Sequence, residues 1–174
     1  MNQFKELYNA DMHRHDYHAG PFIKKFHRYL RKSQCCQNPV LGYYYRFLFD
    51  RIKKKNGIEM SFRSKIGKGL YLGHPYNITI NMGVEIGENC NLHKGVTIGQ
   101  ENRGPRKGAP KIGNSVWIGV NATVVGKITI GDDVLIAPNS YVNCDIPSHS
   151  VVYGNPCIIK HRENATEDYV NRKV

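Results

Sequence analysis

His74 stands inside the apolar run GLYLGHPYNITI (69–80), directly ahead of a proline. Neither residue suits a strand interior: proline cannot donate to a ladder, and a buried unpaired imidazole is costly. Near neutral pH an imidazole can take a proton from an attacking group and return it, because its unperturbed pKa lies close to the working pH. The competing reading is a ring packed at a turn, with no chemical role. His93, in CNLHKGVTIG (90–99), reads either as a surface residue or as a substrate contact. The run HRHDYH (13–18) collects three histidines and one aspartate, but the flanking chain lacks any supporting pattern, and no metal is expected.

The elements that must position these groups are bounded by composition. The chain has 174 residues, which fits one domain with a small appendage. Lys and Arg number 25 against 14 Asp and Glu, a formal charge of +11, so an anionic partner of some kind is expected. The five cysteines show no CxxC spacing, which argues against a disulfide framework or zinc knuckle and for a reducing compartment. The N-terminus has no apolar signal core, and no run approaches the ~18 apolar residues of a spanning helix, so a cytoplasmic protein is expected. The basic clusters KKKNG and RGPRKG come without any nucleic-acid-binding signature, and no nucleic-acid partner is expected.

The chain changes character near Gly57. Residues 1–57 mix aromatic and basic residues. PFIKKFHRYLRK (21–32) sets Phe22, Phe26, Tyr29 and Leu30 near one helical face behind Pro21, and 39–55 reads as a second helix with Gly42 as a weak point. Residues 1–16 suit a short first helix. Tyr43 to Tyr45 cannot all face one core, which allows peripheral membrane contact or packing on the rest of the protein. From 58 to 160 aliphatic residues recur every six positions. Ile66, Leu72 and Ile78 hold one phase, which slips by two residues to Ile80, Ile86, Leu92 and Ile98. After an insertion the period resumes at Ile112 and runs through Ile118, Val124, Ile130 and Ile136 to Val142. A period of six fits neither an α-helix nor a two-periodic strand. It fits a three-sided solenoid of short parallel strands, about four coils tall, with the aliphatic residue pointing inward. Residues 161–174 form a tail.

This repeat resembles the hexapeptide-repeat acyltransferases, whose fold is a left-handed parallel β-helix, and in detail their serine acetyltransferase-like branch, including capsule and exopolysaccharide acetyltransferases. The resemblance rests on EMSFRSKIGKGLYLGHP, VTIG (96–99), the long loop 100–111, PKIG (110–113) and the closing VVYGNPCIIK (151–160). It implies a mainly β fold with a short helical appendage, assembled as a homotrimer. It also implies His74 as catalytic base and Glu59, fifteen residues earlier, as the carboxylate that orients it.

The donor so implied is acetyl-CoA, with Gly99, Gly119 and Ala137 letting its pantetheine arm approach and Lys127 and Lys160 facing its phosphates. Two departures touch the acceptor. The branch carries aspartate before its histidine and Arg-His before the Pro-Lys-Ile element; here those positions are Gly73, Gly108 and Ala109. A free amino acid loses its ionic partners. The expected acceptor is therefore a saccharide hydroxyl, met by Tyr76, Asn77, His93, Arg103 and Arg106, with L-serine as the alternative and a non-catalytic solenoid as a third reading.

Overall fold

The computed structural model describes residues 3–16 and 19–174. Three helices come first: α1 (Gln3–Arg14), α2 (Pro21–Cys35) and α3 (Pro39–Lys54). Proline opens α2 and α3, where a missing N–H leaves no bond unmade. Asn38 caps α3 by accepting from the Val40 and Leu41 N–H groups at 3.0 Å each. Phe26 and Leu30 of α2 are fully buried, and Phe26 meets Phe49 of α3 edge-on at 5.3 Å. Tyr43 and Tyr44 are 74% and 53% exposed, since α3 turns only one stripe inward. Among the described residues no helix is long and apolar enough to cross a membrane.

Four three-stranded coils follow. The first holds β1 (Lys65–Ile66), β2 (Tyr71–Gly73) and β3 (Thr79–Ile80); the second β4 (Glu85–Ile86), β5 (Asn91–His93) and β6 (Thr97–Gly99). The third holds β7 (Lys111–Ile112), β8 (Trp117–Ile118) and β9 (Thr123–Val125); the fourth β10 (Thr129–Ile130), β11 (Val134–Ile136) and β12 (Tyr141–Val142). Each strand pairs in parallel with its counterpart one coil away, building three faces. The first face is β1-β4-β7-β10 and the third is β3-β6-β9-β12. On the second face, β2-β5-β8-β11 is closed by the hairpin of β13 (Ser150–Tyr153) and β14 (Ile158–His161). Register aligns Leu72, Leu92, Ile118, Ile136 and Val152 in one inward stack, all nearly inaccessible. Corners use left-handed residues, including Asn121, Asn139 and Gly95 between the second and third faces. At the corner after β1 and β4, a Cβ on Gly67 would lie 2.6 Å from the Gly87 carbonyl, so coils stack there at backbone distance.

Two features have no six-residue signature. The tail does not simply hang from the last coil. It runs back along the prism, with Ala165 and Thr166 N–H groups donating to Asp133 at 2.9 and 3.0 Å and Tyr169 packing on Trp117. The helices are tied to the first coil by a buried charge cluster. Asp11 accepts from Arg31 and from the Leu70 N–H, while Arg31 also donates to the Ile66 and Gly67 carbonyls. Burial alone would raise the Asp11 pKa, but His27 and Arg31 hold it at about 2.

Beside this cluster, burial pushes His15 down to about 3, and the ring accepts the Leu72 N–H at 3.4 Å. An imidazole depressed on folding binds its proton more readily in the unfolded chain. Its stability contribution is whole above the unfolded value of about 6.5 and is lost as pH falls toward 3. Asp11 follows, losing its contribution from about 4 toward 2. The melting temperature is therefore expected to fall steadily from pH 7 to pH 4, and His15→Gln should flatten the upper part of that slope. A melting temperature unchanged from pH 7 to pH 5 would contradict this.

Candidate active site

His74 owes its position to the two-residue slip. Gly73 and Thr79 pair with His93 and Thr97 one coil above, yet the first coil spends two more residues crossing the same corner. The extra chain leaves the stack as an outward bulge, His74-Pro75-Tyr76. It is held from below by Asn56, whose Nδ2 donates to the Pro75 carbonyl at 2.9 Å. From above, the Gly95 N–H donates to the Tyr76 carbonyl at 2.9 Å. His74 itself is exposed at φ +50°, a left-handed conformation uncommon for histidine. Asn77, also left-handed, rests its amide against Gly57 and serves the corner itself.

The glycine at 73 and the histidine at 93 are one feature in three dimensions. A Cβ built on Gly73 would overlap the His93 ring. That ring lies between Gly73 and Trp117, whose ring centre is 4.7 Å away. Its Nε2 is buried without a hydrogen-bond partner. Burial first, and neighbouring His74 second, push His93 down to about 4, so it is neutral at pH 7. A side chain at 73 therefore forces the His93 ring out of this position against Trp117. Gly73→Ala is expected to destabilise by about 1–3 kcal/mol through overpacking. His93→Ala should relieve that loss, so denaturation of the two single variants and the double variant would show strong coupling. Additive losses would contradict the overlap.

Apart from Glu59 and Lys160, the predicted site residues fall on the two edges of the third face. His74, Tyr76, Asn77, His93, Gly119 and Ala137 gather at the corner between the second and third faces. Gly99, Arg103, Arg106 and Lys127 lie at the opposite edge, where the 100–110 insertion leaves. There Glu101 and Gly108 exchange two backbone hydrogen bonds at 2.9 Å, and the Lys127 N–H donates to the Arg106 carbonyl at 2.8 Å. Arg106 faces Glu101 at 3.6 Å. Glu59 sits on the third face beneath Thr79 and is exposed, and no hydrogen bond or ion pair joins it to His74. Lys160 is on β14, its ammonium 5.8 Å from the Tyr153 ring centre. The Gly119 and Ala137 N–H groups already donate within the ladder, to the Ile136 and Val152 carbonyls at 2.9 and 2.8 Å. A Cβ at Gly119 would meet the Pro138 nitrogen at 2.7 Å, so packing alone requires that glycine. His18 lies outside the described residues, and among the described residues no cluster of His, Cys, Asp or Glu suits a metal. Arg14, Tyr71 and Trp117 share a cavity with His93; the six-residue register sets Tyr71 and Trp117 in one row with Asn91, whereas no pattern along the chain brings Arg14 to them.

A three-sided coil with six-residue sides, a histidine bulged from its first turn and a folded insertion at the opposite edge defines the class by fold: a hexapeptide-repeat β-helix. Residues 109–144 match the bacterial transferase hexapeptide family, and residues 77–100 match the hexapeptide repeat of succinyl-transferase. A serine acetyltransferase of Helicobacter pylori is 38% identical over 99 residues, covering 57% of this chain and 58% of that protein. One from Staphylococcus aureus is 39% identical over 100 residues, covering 58% of this chain and 47% of that protein. Among solved structures, the Neisseria gonorrhoeae serine acetyltransferase superposes with a TM-score of 0.72 at 25% identity over 97% of this chain and 70% of that one. The soybean apoenzyme reaches 0.75 at 23% identity, over 91% of this chain and 69% of that one. The chain thus has a hexapeptide-repeat fold related to the serine acetyltransferase branch of acyltransferases. It spans just over half the length of the Helicobacter relative.

Proposed function

We propose that this chain is an acetyl-CoA-dependent O-acetyltransferase that moves acetyl from the thioester to a hydroxyl, with L-serine as acceptor. The observation that carries the reading is the bulged His74, exposed on a coil whose stretch 58–160 resembles the acetyltransferases. In this mechanism His74 takes the hydroxyl proton as the oxygen attacks the thioester carbonyl. The tetrahedral intermediate collapses with loss of the C–S bond. The imidazolium returns its proton to the departing thiolate, leaving the O-acetyl ester and free CoA thiol. Glu59, on the third face and unbonded to His74 in the single chain, is the carboxylate assigned to steady that imidazolium once the bulge shifts toward it with substrate bound, so Glu59→Gln lowers turnover less than loss of His74.

The serine acceptor is supported by the relatives, which are named serine acetyltransferases, and they favour it over the saccharide expected from the missing ionic residues. One observation keeps the saccharide as a second reading. The His93 ring occupies the space over Gly73 where an ammonium-binding carboxylate would stand, leaving an uncharged ring beside His74. A screen of L-serine against neutral glycans, following thiol release from acetyl-CoA, decides between them.

Assembly belongs to the same proposal. The two groups of site residues flank the third face, whose outward row is Thr79, Thr97, Thr123 and Tyr141, without a charge above Glu59. A homotrimer packed around such faces sets the His74 corner of one copy against the insertion loop of the next, and the acetyl-CoA groove lies between them. Sedimentation at micromolar protein should show three copies of the 19.8 kDa chain. A monomer would remove the shared site.

A further inference from the structure

The second face carries a cavity of about 180 Å³ beside the His74 corner, which shares His93 with it. Its walls are aromatic: Tyr71 of β2, Trp117 of β8 and Tyr169 of the returning tail, the last two meeting edge-on at 5.2 Å. It also contains Arg14, whose side chain comes from the last turn of α1 and is only 3% exposed. Arg14 donates through Nε to the Gly69 carbonyl at 3.2 Å and through Nη2 to Asn91 Oδ1. Asn91 is fixed in turn, because its Nδ2 donates to the Tyr169 carbonyl at 2.9 Å. The guanidinium is therefore held in one orientation.

No carboxylate pairs with Arg14 among the ion pairs of the described residues. The charged side chain that accompanies it in the cavity is another cation, Arg172, which is half-exposed and already bound to Asp16 at 3.0 Å. A buried cation without a counter-charge costs several kcal/mol, and a carboxylate accepting its remaining N–H groups offsets that. With Arg172 neutralised by Asp16, the cavity has one unmatched positive charge, which suits a monoanion better than a phosphate dianion. The volume is worth roughly six waters, and the aromatic walls favour an apolar or planar body over a highly hydrated one. We propose that this cavity binds a small organic monocarboxylate, gripped by Arg14 and packed between Trp117 and Tyr169. It adjoins the acetyl-transfer site through His93 but takes its cation and its aromatic walls from other residues, and it stands whether or not that reading holds.

Trp117 is the chain's single tryptophan, so its fluorescence reports the cavity directly. The full chain, without acetyl-CoA and at constant ionic strength in sodium chloride, is titrated with acetate, L-lactate and benzoate, each against its amide. At least one carboxylate should give a saturable change, with a midpoint at least about tenfold below that of its amide. Tyr169→Ala and Arg172→Gln alter exposed tail residues and should raise that midpoint several-fold. Arg14→Gln should abolish the response if the variant retains its far-ultraviolet circular dichroism. The absence of saturation with all three carboxylates, equal midpoints for acid and amide, or midpoints unmoved in both tail variants would overturn the proposal.

Discussion

His74→Ala is expected to lower kcat for acetyl transfer by about 10²–10⁴-fold, the usual contribution of a positioned general base. The ring is exposed and makes no packing contact that the coils need, so folding should survive its loss. The backbone is the complication. At φ +50° alanine is itself strained, and a loss in His74→Ala alone would mix chemistry with a shifted bulge. His74→Asn separates them, because asparagine tolerates the left-handed conformation and cannot act as the base. Both variants should lose turnover alike, with melting temperatures close to the parent. Turnover in His74→Asn within a factor of about three of the parent would remove the histidine from its role.

The largest stability effect is expected at Asp11→Ala, about 3–5 kcal/mol, the range seen when one partner of a buried ion pair is removed. Asp11, His27 and Arg31 are all inaccessible, and without the carboxylate Arg31 keeps only carbonyl and amide partners in a dry site. The Leu70 N–H loses its acceptor as well. For a chain of this size the loss corresponds to a fall of roughly 6–20 °C in melting temperature. The exposed Lys65–Glu85 pair, 2.7 Å apart, is the control: Lys65→Ala should change stability by less than about 1 kcal/mol. Calorimetry of the three proteins at one concentration tests both expectations. Similar losses in Asp11→Ala and Lys65→Ala would show that the cluster does not anchor the helices.

The coils were legible because each inward position needs an aliphatic residue that stacks on its counterparts, and six residues is the length of one side. The histidine bulge was legible too, as a two-residue slip between Ile78 and Ile80, although the slip alone did not say that the extra chain leaves the stack. The pairing of Gly73 with His93 lay hidden as two separate oddities, because only the strand register places them one above the other. The anchor of Asp11, His27 and Arg31 takes residues from two helices and carbonyls from the first coil, and no local pattern encodes that meeting. The tail has no period because it is a strap fastened at points, on Asp133, Asn91 and Asn89. The division of the site residues between two edges of one face follows from the fold and not from any spacing along the chain.

The central claim, acetyl transfer from acetyl-CoA to a hydroxyl by His74, is tested most directly by thiol release from acetyl-CoA in the presence and absence of L-serine, with His74→Asn alongside. The parent should release thiol in a serine-dependent, saturable way, at a kcat/KM of about 10⁴ M⁻¹s⁻¹ or above, and His74→Asn should not. A parent chain that releases no thiol above background with L-serine or with any neutral glycan, while remaining folded and assembled, would contradict the account.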